Sequence, residues 1–205
     1  PLMATLGLVS VLFAAFMLYR RRDIKRMFAY SSIEHMGLIT FAFGMGGPLA
    51  NFAGLLHMTM HSLTKSAIFF AVGHIAQVKG TQKLSEIRGL TESHPVLGWG
   101  LVLGVAAIAG LPPLGMFMSE FLIVTSTISQ APALAALFVF GLLIAFGALF
   151  LRLHGIAFGE PSGGRAPVKA SFAPILAHLA IVYAAGVFIP PAVVAWFQKV
   201  AAGLG

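Results

Sequence analysis

Residues 55–74 read LLHMTMHSLTKSAIFFAVGH, an apolar run that carries His57, His61 and Lys65 four residues apart. Four residues advance an α-helix by only about 40°, so these side chains form one stripe rising ~12 Å. A lysine that snorkels to the membrane interface belongs near a helix end. Lys65 sits at mid-run, where insertion scales charge ~2.5 to 3.5 kcal/mol for a basic residue. It is therefore expected inside a bundle, facing water or an acid, with Ser62 and Thr64 beside the stripe.

The whole chain fits that setting. Its 205 residues are 59% hydrophobic and 9% charged, with a mean hydropathy of +0.94, far from the roughly 25% charged content of soluble domains. This composition identifies an integral membrane protein. Cysteine is absent, which excludes disulfides, thiolate-held iron–sulfur clusters and cysteine nucleophiles. No cofactor and no metal are expected, an enzyme in its own right is disfavoured, and redox chemistry is assigned to a partner. The segment Leu2 to Leu18 has no basic stretch before it and no small-residue cleavage site after it, so it does not read as a signal peptide. A chain that starts at Pro1 is expected to be part of a longer one.

Stretches of about 20 apolar residues, enough to cross a ~30 Å hydrocarbon core, occur at Leu2–Tyr19, Ile24–Met45, Ala50–Val78, Val96–Ser129, Ala131–Leu151 and Phe172–Phe188. The expected fold is an all-α, polytopic bundle of six spans forming a single transmembrane domain over 1–205. The formal charge of +7 would suggest nucleic acid in a soluble protein, but its distribution does not: 11 of the 13 Lys and Arg fall in Arg20–Arg26, Lys79–Arg88 and Arg152–Lys169. The connections between these basic loops are uncharged. The positive-inside bias places the basic loops in the cytoplasm and both ends outside.

The fourth span is abnormal. Pro95 to Ser129 would run ~52 Å as one helix, and AGLPPLG interrupts it with Gly110, Pro112, Pro113 and Gly115. Two half-helices with a break are expected. Non-helical backbone at that depth survives only where protein or a water-filled cavity satisfies it, and such breaks mark transport sites. Glu120 follows about two turns later. Desolvated carboxylates, lysines and imidazoles can exchange protons at small free-energy cost, so Lys65, His61, His57 and Glu120 are expected to line a hydrated proton route. Glu34 and His35, beside "YSS", are secondary candidates that could equally be a helix-start cluster.

Plainer readings hold elsewhere. His74 and His178 read as structural, and Met58, Met60, Met116 and Met118 as adaptable packing. HMTMH has zinc-protease spacing, but Met58 stands where the general-base glutamate must be. Haem would need a histidine on another helix facing His57 or His61, and none is identifiable from the sequence.

Three segments, RRRDIKRMFAYSSIEHMGLI (20–39), LLHMTMHSLTKSAIFFAVGHI (55–75) and AIAGLPPLGMFMSEFLI (107–123), carry a resemblance. In order and content they resemble the antiporter-like membrane subunits shared by respiratory complex I, multisubunit sodium/proton antiporters and membrane-bound hydrogenases. Within that family SSIEHMG (31–37) and the tail APVKASFAPILAHLA (166–180) are most similar to the hydrogenase-4 F branch. The resemblance implies about fourteen spans in two inverted five-helix repeats, of which this chain would be the second repeat plus the final helix. It implies that Glu120 belongs to the outward half of a proton route and that His57, His61 and Lys65 line a central polar axis. It also implies a bacterial inner-membrane location, neighbouring membrane subunits, and a cytoplasmic hydrogenase or redox arm. The expected function is proton conduction coupled to electron transfer. The alternatives are a sodium/proton antiporter subunit and an inert membrane scaffold.

Overall fold

The structure, a computed structural model, describes residues 1–162, 167 and 171–204. Among these residues the chain forms nine helices: α1 (Leu2–Arg20), α2 (Ile24–Met45), α3 (Gly47–Lys79), α4 (Leu90–Ser93), α5 (Pro95–Ile108), α6 (Gly115–Gln130), α7 (Pro132–Phe158), α8 (Ala173–Val187) and α9 (Pro191–Ala202). An isolated antiparallel bridge joins Asp23 to Lys83.

The first two helices make a tight hairpin. Asp23 ends the turn as the N-cap of α2, its Oδ1 accepting from the Arg26 amide at 2.9 Å, which satisfies one of the amides a helix start leaves unpaired. Backbones touch where side chains are missing. A Cβ on Gly37 would lie 2.9 Å from the Gly7 carbonyl oxygen, and one on Gly7 would run into the Phe41 amide nitrogen. Small residues at such crossings are how helices associate when lipid supplies no hydrophobic drive.

The 33-residue α3 is the axis of the bundle and packs on α2, α5, α6, α8 and α9. Between α5 and α6 the chain leaves the helix at 109–114. Gly110 takes φ +68 there, and the Pro112–Pro113 bond is cis. Gly186 of α8 lies directly against the Pro113 carbonyl, so α8 covers the interruption.

The basic loops meet at one end of the bundle. The Ile24 amide donates to Gln82 O and the Leu84 amide to Arg22 O, both at 2.9 Å. Arg152 Nη2 donates to Tyr19 O at 2.7 Å, and Lys79 Nζ to Ser162 O at 2.7 Å. Glu86, in the same end, accepts from Thr81 Oγ1 at 2.6 Å and Lys83 Nζ at 3.1 Å. These bonds hold its carboxyl below the usual range. Arg165 and Lys169, the other basic residues of the third loop, lie outside the described residues.

Polarity is inverted relative to a water-soluble protein. Phe13, Phe16, Phe140, Leu143, Leu151 and Ile181 face outward, while Glu34, His35, His57, His61 and Lys65 are buried. A fold that exposes phenylalanine and hides lysine is stable only if its solvent is hydrocarbon.

The helices differ from the expected spans in three respects. By length and apolar composition alone, α1 and α7 could each cross a membrane, and α8 with α9 could make a third crossing if counted as one bent span. This falls short of six, because buried polar residues lower the mean hydropathy of α2 and α3, while α5 and α6, at 14 and 16 residues, are individually short. The last expected span, Phe172–Phe188, is followed by a distinct helix. Pro190 and Pro191, which donate no amide hydrogen, stand at a corner of 81° between α8 and α9. The fifth expected span, Ala131–Leu151, continues to Phe158 and carries Arg152 and His154 into the basic end.

Candidate functional site

Three elements converge on one polar line. Helix α2 contributes Glu34 and His35, α3 contributes His57, His61 and Lys65, and α6 contributes Ser119 and Glu120. The α3 residues share a face because of their four-residue spacing, and that face turns toward α2 and α6. His57 is wholly buried and His35, Glu34, Lys65 and His61 are 1%, 2%, 5% and 7% exposed.

The imidazoles are linked directly. His35 Nδ1 lies 3.0 Å from His57 Nε2, with the rings stacked at 5.2 Å, and the His61 ring lies 5.3 Å from His35. On the other side His57 Nδ1 lies 2.9 Å from Ser119 Oγ, whose hydroxyl donates to Met116 O at 2.8 Å. That bond favours one arrangement of the protons. A hydroxyl has one hydrogen; with Ser119's committed to Met116 O, Oγ accepts from His57 Nδ1–H. Neutral His57 then accepts at Nε2, so His35 donates from Nδ1 and its Nε2 is bare. His35 Nε2 and Glu34 Oε2 are 3.6 Å apart, both buried and without hydrogen-bond partners among the described residues. The Ile108 backbone lies beside the His35 ring.

Lys65 Nζ donates to Phe28 O at 2.9 Å, with the Phe28 and Phe69 rings at 5.5 and 6.0 Å. It interacts with Glu34 electrostatically, so the acid expected near Lys65 is on α2. The Glu120 carboxylate lies against the α-carbon of Gly110. Glycine is favoured there, since the positive φ is costly for other residues and a Cβ would push the Glu120 carboxylate aside. A cavity of about 320 Å³ opens beside Glu34, His35, Gly110 and Glu120, with apolar α7 residues as its far wall.

Of the residues singled out from sequence, His57, His61 and Lys65 do share one buried face, and Glu120 reaches His57. Donor atoms of His35, His57 and Glu120 all lie within 4.8 Å of one another. Glu34 and His35, ranked second, are at the centre. The sequence offered no histidine facing His57, whereas the structure supplies His35, because facing across helices is a tertiary property. No metal ligands were expected, yet these three donors cluster. Ser119 was missed although it precedes Glu120 within the quoted motif; serine in an apolar helix is too common to stand out. Gly115 packs on Met60 Sδ, while Met58 and Met118 face outward. His74 meets Phe172 edge-on at 6.0 Å, and His178 Nδ1 donates to Pro174 O at 2.6 Å; these are structural contacts.

A helical membrane bundle with lysine, imidazoles and carboxylates along its interior, beside the non-helical stretch 109–114, is the class of protein defined by this fold and site: an antiporter-like membrane subunit. Residues 1–145 match the family described as NADH:quinone oxidoreductase/Mrp antiporter, transmembrane, and the chain belongs to that family. It is 64% identical over 198 residues to the Hydrogenase-4 component F homolog of Methylacidiphilum infernorum (isolate V4), a match covering 97% of this chain and 42% of that protein. Among solved structures, a chain of the archaeal membrane-bound sulfane sulfur reductase superposes with a TM-score of 0.90 at 27% identity, covering 99% of this chain and 42% of that one. A chain of Thermus thermophilus respiratory complex I superposes at 0.89 and 24% identity, covering 99% and 44%, and so shares the fold. The chain thus spans less than half the length of these relatives.

Proposed function

We propose that this chain conducts protons across the membrane within a hydrogenase-4 or complex I-like assembly, coupled to electron transfer in neighbouring subunits. The observation that carries the proposal is the buried line Glu34–His35–His57–Ser119, which ends beside Glu120 at the break. A proton from Glu34 enters at His35 Nε2 while His35 releases its Nδ1 proton to His57 Nε2. His57 in turn releases its Nδ1 proton to Ser119 Oγ, and the hydroxyl turns from Met116 O to pass its own proton towards Glu120. Lys65 sets the electrostatic field at Glu34, and the His61 ring lies tilted against His35. Buried polar atoms are satisfied by protein or ordered water, so Ser31 Oγ, His61 Nε2 and Thr64 Oγ1, which have no hydrogen-bond partner among the described residues, are where water enters the line.

In this reading α1, α2, α3, the α5–α6 pair, α7 and α8 make six spans, the fourth broken between Gly110 and Gly115, as one transmembrane domain of a longer subunit. The basic end faces the cytoplasm of a bacterium and both termini lie outside. The partners are other membrane subunits and a cytoplasmic hydrogenase or redox arm, a reading supported by the name of the 64% identical relative. The test is proton pumping by the assembled complex in inverted vesicles. Glu120→Gln and Lys65→Met should each abolish pumping, and pumping retained by both would overturn the proposal. Uptake that follows sodium and survives a protonophore would favour the antiporter reading.

A further inference from the structure

The cluster of His35, His57 and Glu120 has the donors of a metal site as well as those of a proton line. At a zinc–nitrogen distance of 2.0–2.1 Å, two ligands of a tetrahedral ion lie roughly 3.3 Å apart. His35 Nδ1 and His57 Nε2 are already 3.0 Å apart, sharing one proton between two lone pairs, and a Glu120 oxygen lies within 4.8 Å of both. A few tenths of an ångström of ring separation and a swing of the Glu120 carboxylate off Gly110 would close the set.

The surroundings supply what ligating histidines need behind them. A metal-bound imidazole donates its other N–H to a carboxylate, carbonyl or hydroxyl that fixes its orientation. His57 does so at 2.9 Å to Ser119 Oγ, which leaves Nε2 as its lone-pair nitrogen. His35, ligating through Nδ1, would carry its hydrogen on Nε2, 3.6 Å from Glu34 Oε2. The two partnerless atoms of the line would then satisfy each other. The adjoining cavity, about 320 Å³, provides room for the approaching ion and a fourth, water ligand.

We infer that His35, His57 and Glu120 form a binding site for a borderline-soft transition-metal dication such as zinc, with Glu34 and Ser119 as the groups orienting the two imidazoles. Two nitrogens and a carboxylate favour zinc, copper or nickel over magnesium and calcium. The inference does not depend on proton conduction, because the same donors could bind an ion in a chain that moves no protons.

The full chain in lipid nanodiscs, titrated with Zn2+ against a chromophoric chelator, should bind one tight equivalent unaffected by millimolar Mg2+ or Ca2+. His35→Gln and His57→Gln should each weaken that equivalent at least 100-fold, and Glu34→Gln about 10- to 100-fold. His178→Gln, whose ring meets Phe70 at 6.0 Å rather than the cluster, should change nothing. X-ray absorption of the zinc-loaded wild type covers the case in which a variant misfolds, and should show two imidazoles and oxygen donors. Wild-type affinity in His35→Gln, loss only in His178→Gln, or a spectrum with fewer than two imidazoles would overturn the site.

Discussion

Ser119→Ala isolates the step on which the polarity of the proton line rests. The substitution removes the acceptor at 2.9 Å from His57 Nδ1 and the donor at 2.8 Å from Met116 O. Met116 O is a helical carbonyl in the first turn of α6, so the main casualty is His57 Nδ1–H, left buried without an acceptor. Such a donor costs roughly 1–3 kcal/mol, which moves the tautomer equilibrium by about 5- to 150-fold against Nδ1–H. Were His57 to move its hydrogen to Nε2, it would meet the Nδ1 hydrogen of His35 at 3.0 Å. His35 must then turn its own hydrogen to Nε2, towards Glu34. One hydroxyl therefore sets the tautomer of two rings. Solid-state 15N spectra of histidine-labelled protein should show both rings as Nδ1–H in the wild type and as Nε2–H in Ser119→Ala. Pumping should fall about tenfold or more, and Ser119→Thr, which keeps a hydroxyl, should restore both. Unchanged nitrogen shifts in Ser119→Ala would refute the elimination argument, whatever happened to pumping.

Gly110→Ala should cost about 1–2 kcal/mol for the positive φ alone and displace the Glu120 carboxylate, so the detergent-solubilised chain should melt earlier and the assembled complex in vesicles should pump less; wild-type values for both would show that Glu120 does not need that space. Gly37→Val should force α1 and α2 apart at the Gly7 carbonyl, read as a lower melting temperature with loss of the cysteine cross-link that an engineered pair across the hairpin otherwise forms. Glu86, whose carboxyl is held low by Thr81 and Lys83, stabilises the 79–88 loop only while ionised. That contribution is present above the ordinary glutamate value of ~4.3 and is lost as pH falls through the lower folded value, so amide exchange near residue 83 should accelerate only in acid below it; a rise already at pH 5 would contradict this sign. If the proton line and the metal site share lone pairs, saturating Zn2+ should stop pumping in the wild type, whereas binding without inhibition would keep the site and remove His35–His57 from the conducting route.

The membrane class was legible from composition, the polar stripe of α3 from spacing along one segment, and the non-helical stretch 109–114 from its glycines and prolines. The centre of the site was not. His35 looks like an interfacial residue in sequence, since its distance to His57 depends on how closely α2 approaches α3. Ser119 gained its role only from the Met116 carbonyl and the ring beside it. The 81° corner at Pro190–Pro191 was visible as a proline pair, but the apolar run after it concealed that α9 turns back to pack on α3, where Asn51 Nδ2 donates to Ala201 O at 3.3 Å.

The break links backbone to chemistry in two ways that a continuous helix could not. It starts α6 at Gly115, so that Ser119 falls at the end of the first turn, where its hydroxyl bonds back to Met116 O; the constraint on the His57 tautomer is thus inherited from where the helix begins. It also places Gly110, with its left-handed backbone, beside the Glu120 carboxylate rather than a turn of helix with side chains. Closing the break by replacing both prolines with alanine would restore two amide donors and favour helix, yet it would move Ser119 and Glu120 relative to His57 even though neither residue had changed. A purely architectural break would tolerate that change. One that positions the acid and the hydroxyl would lose conduction while the chain became more helical.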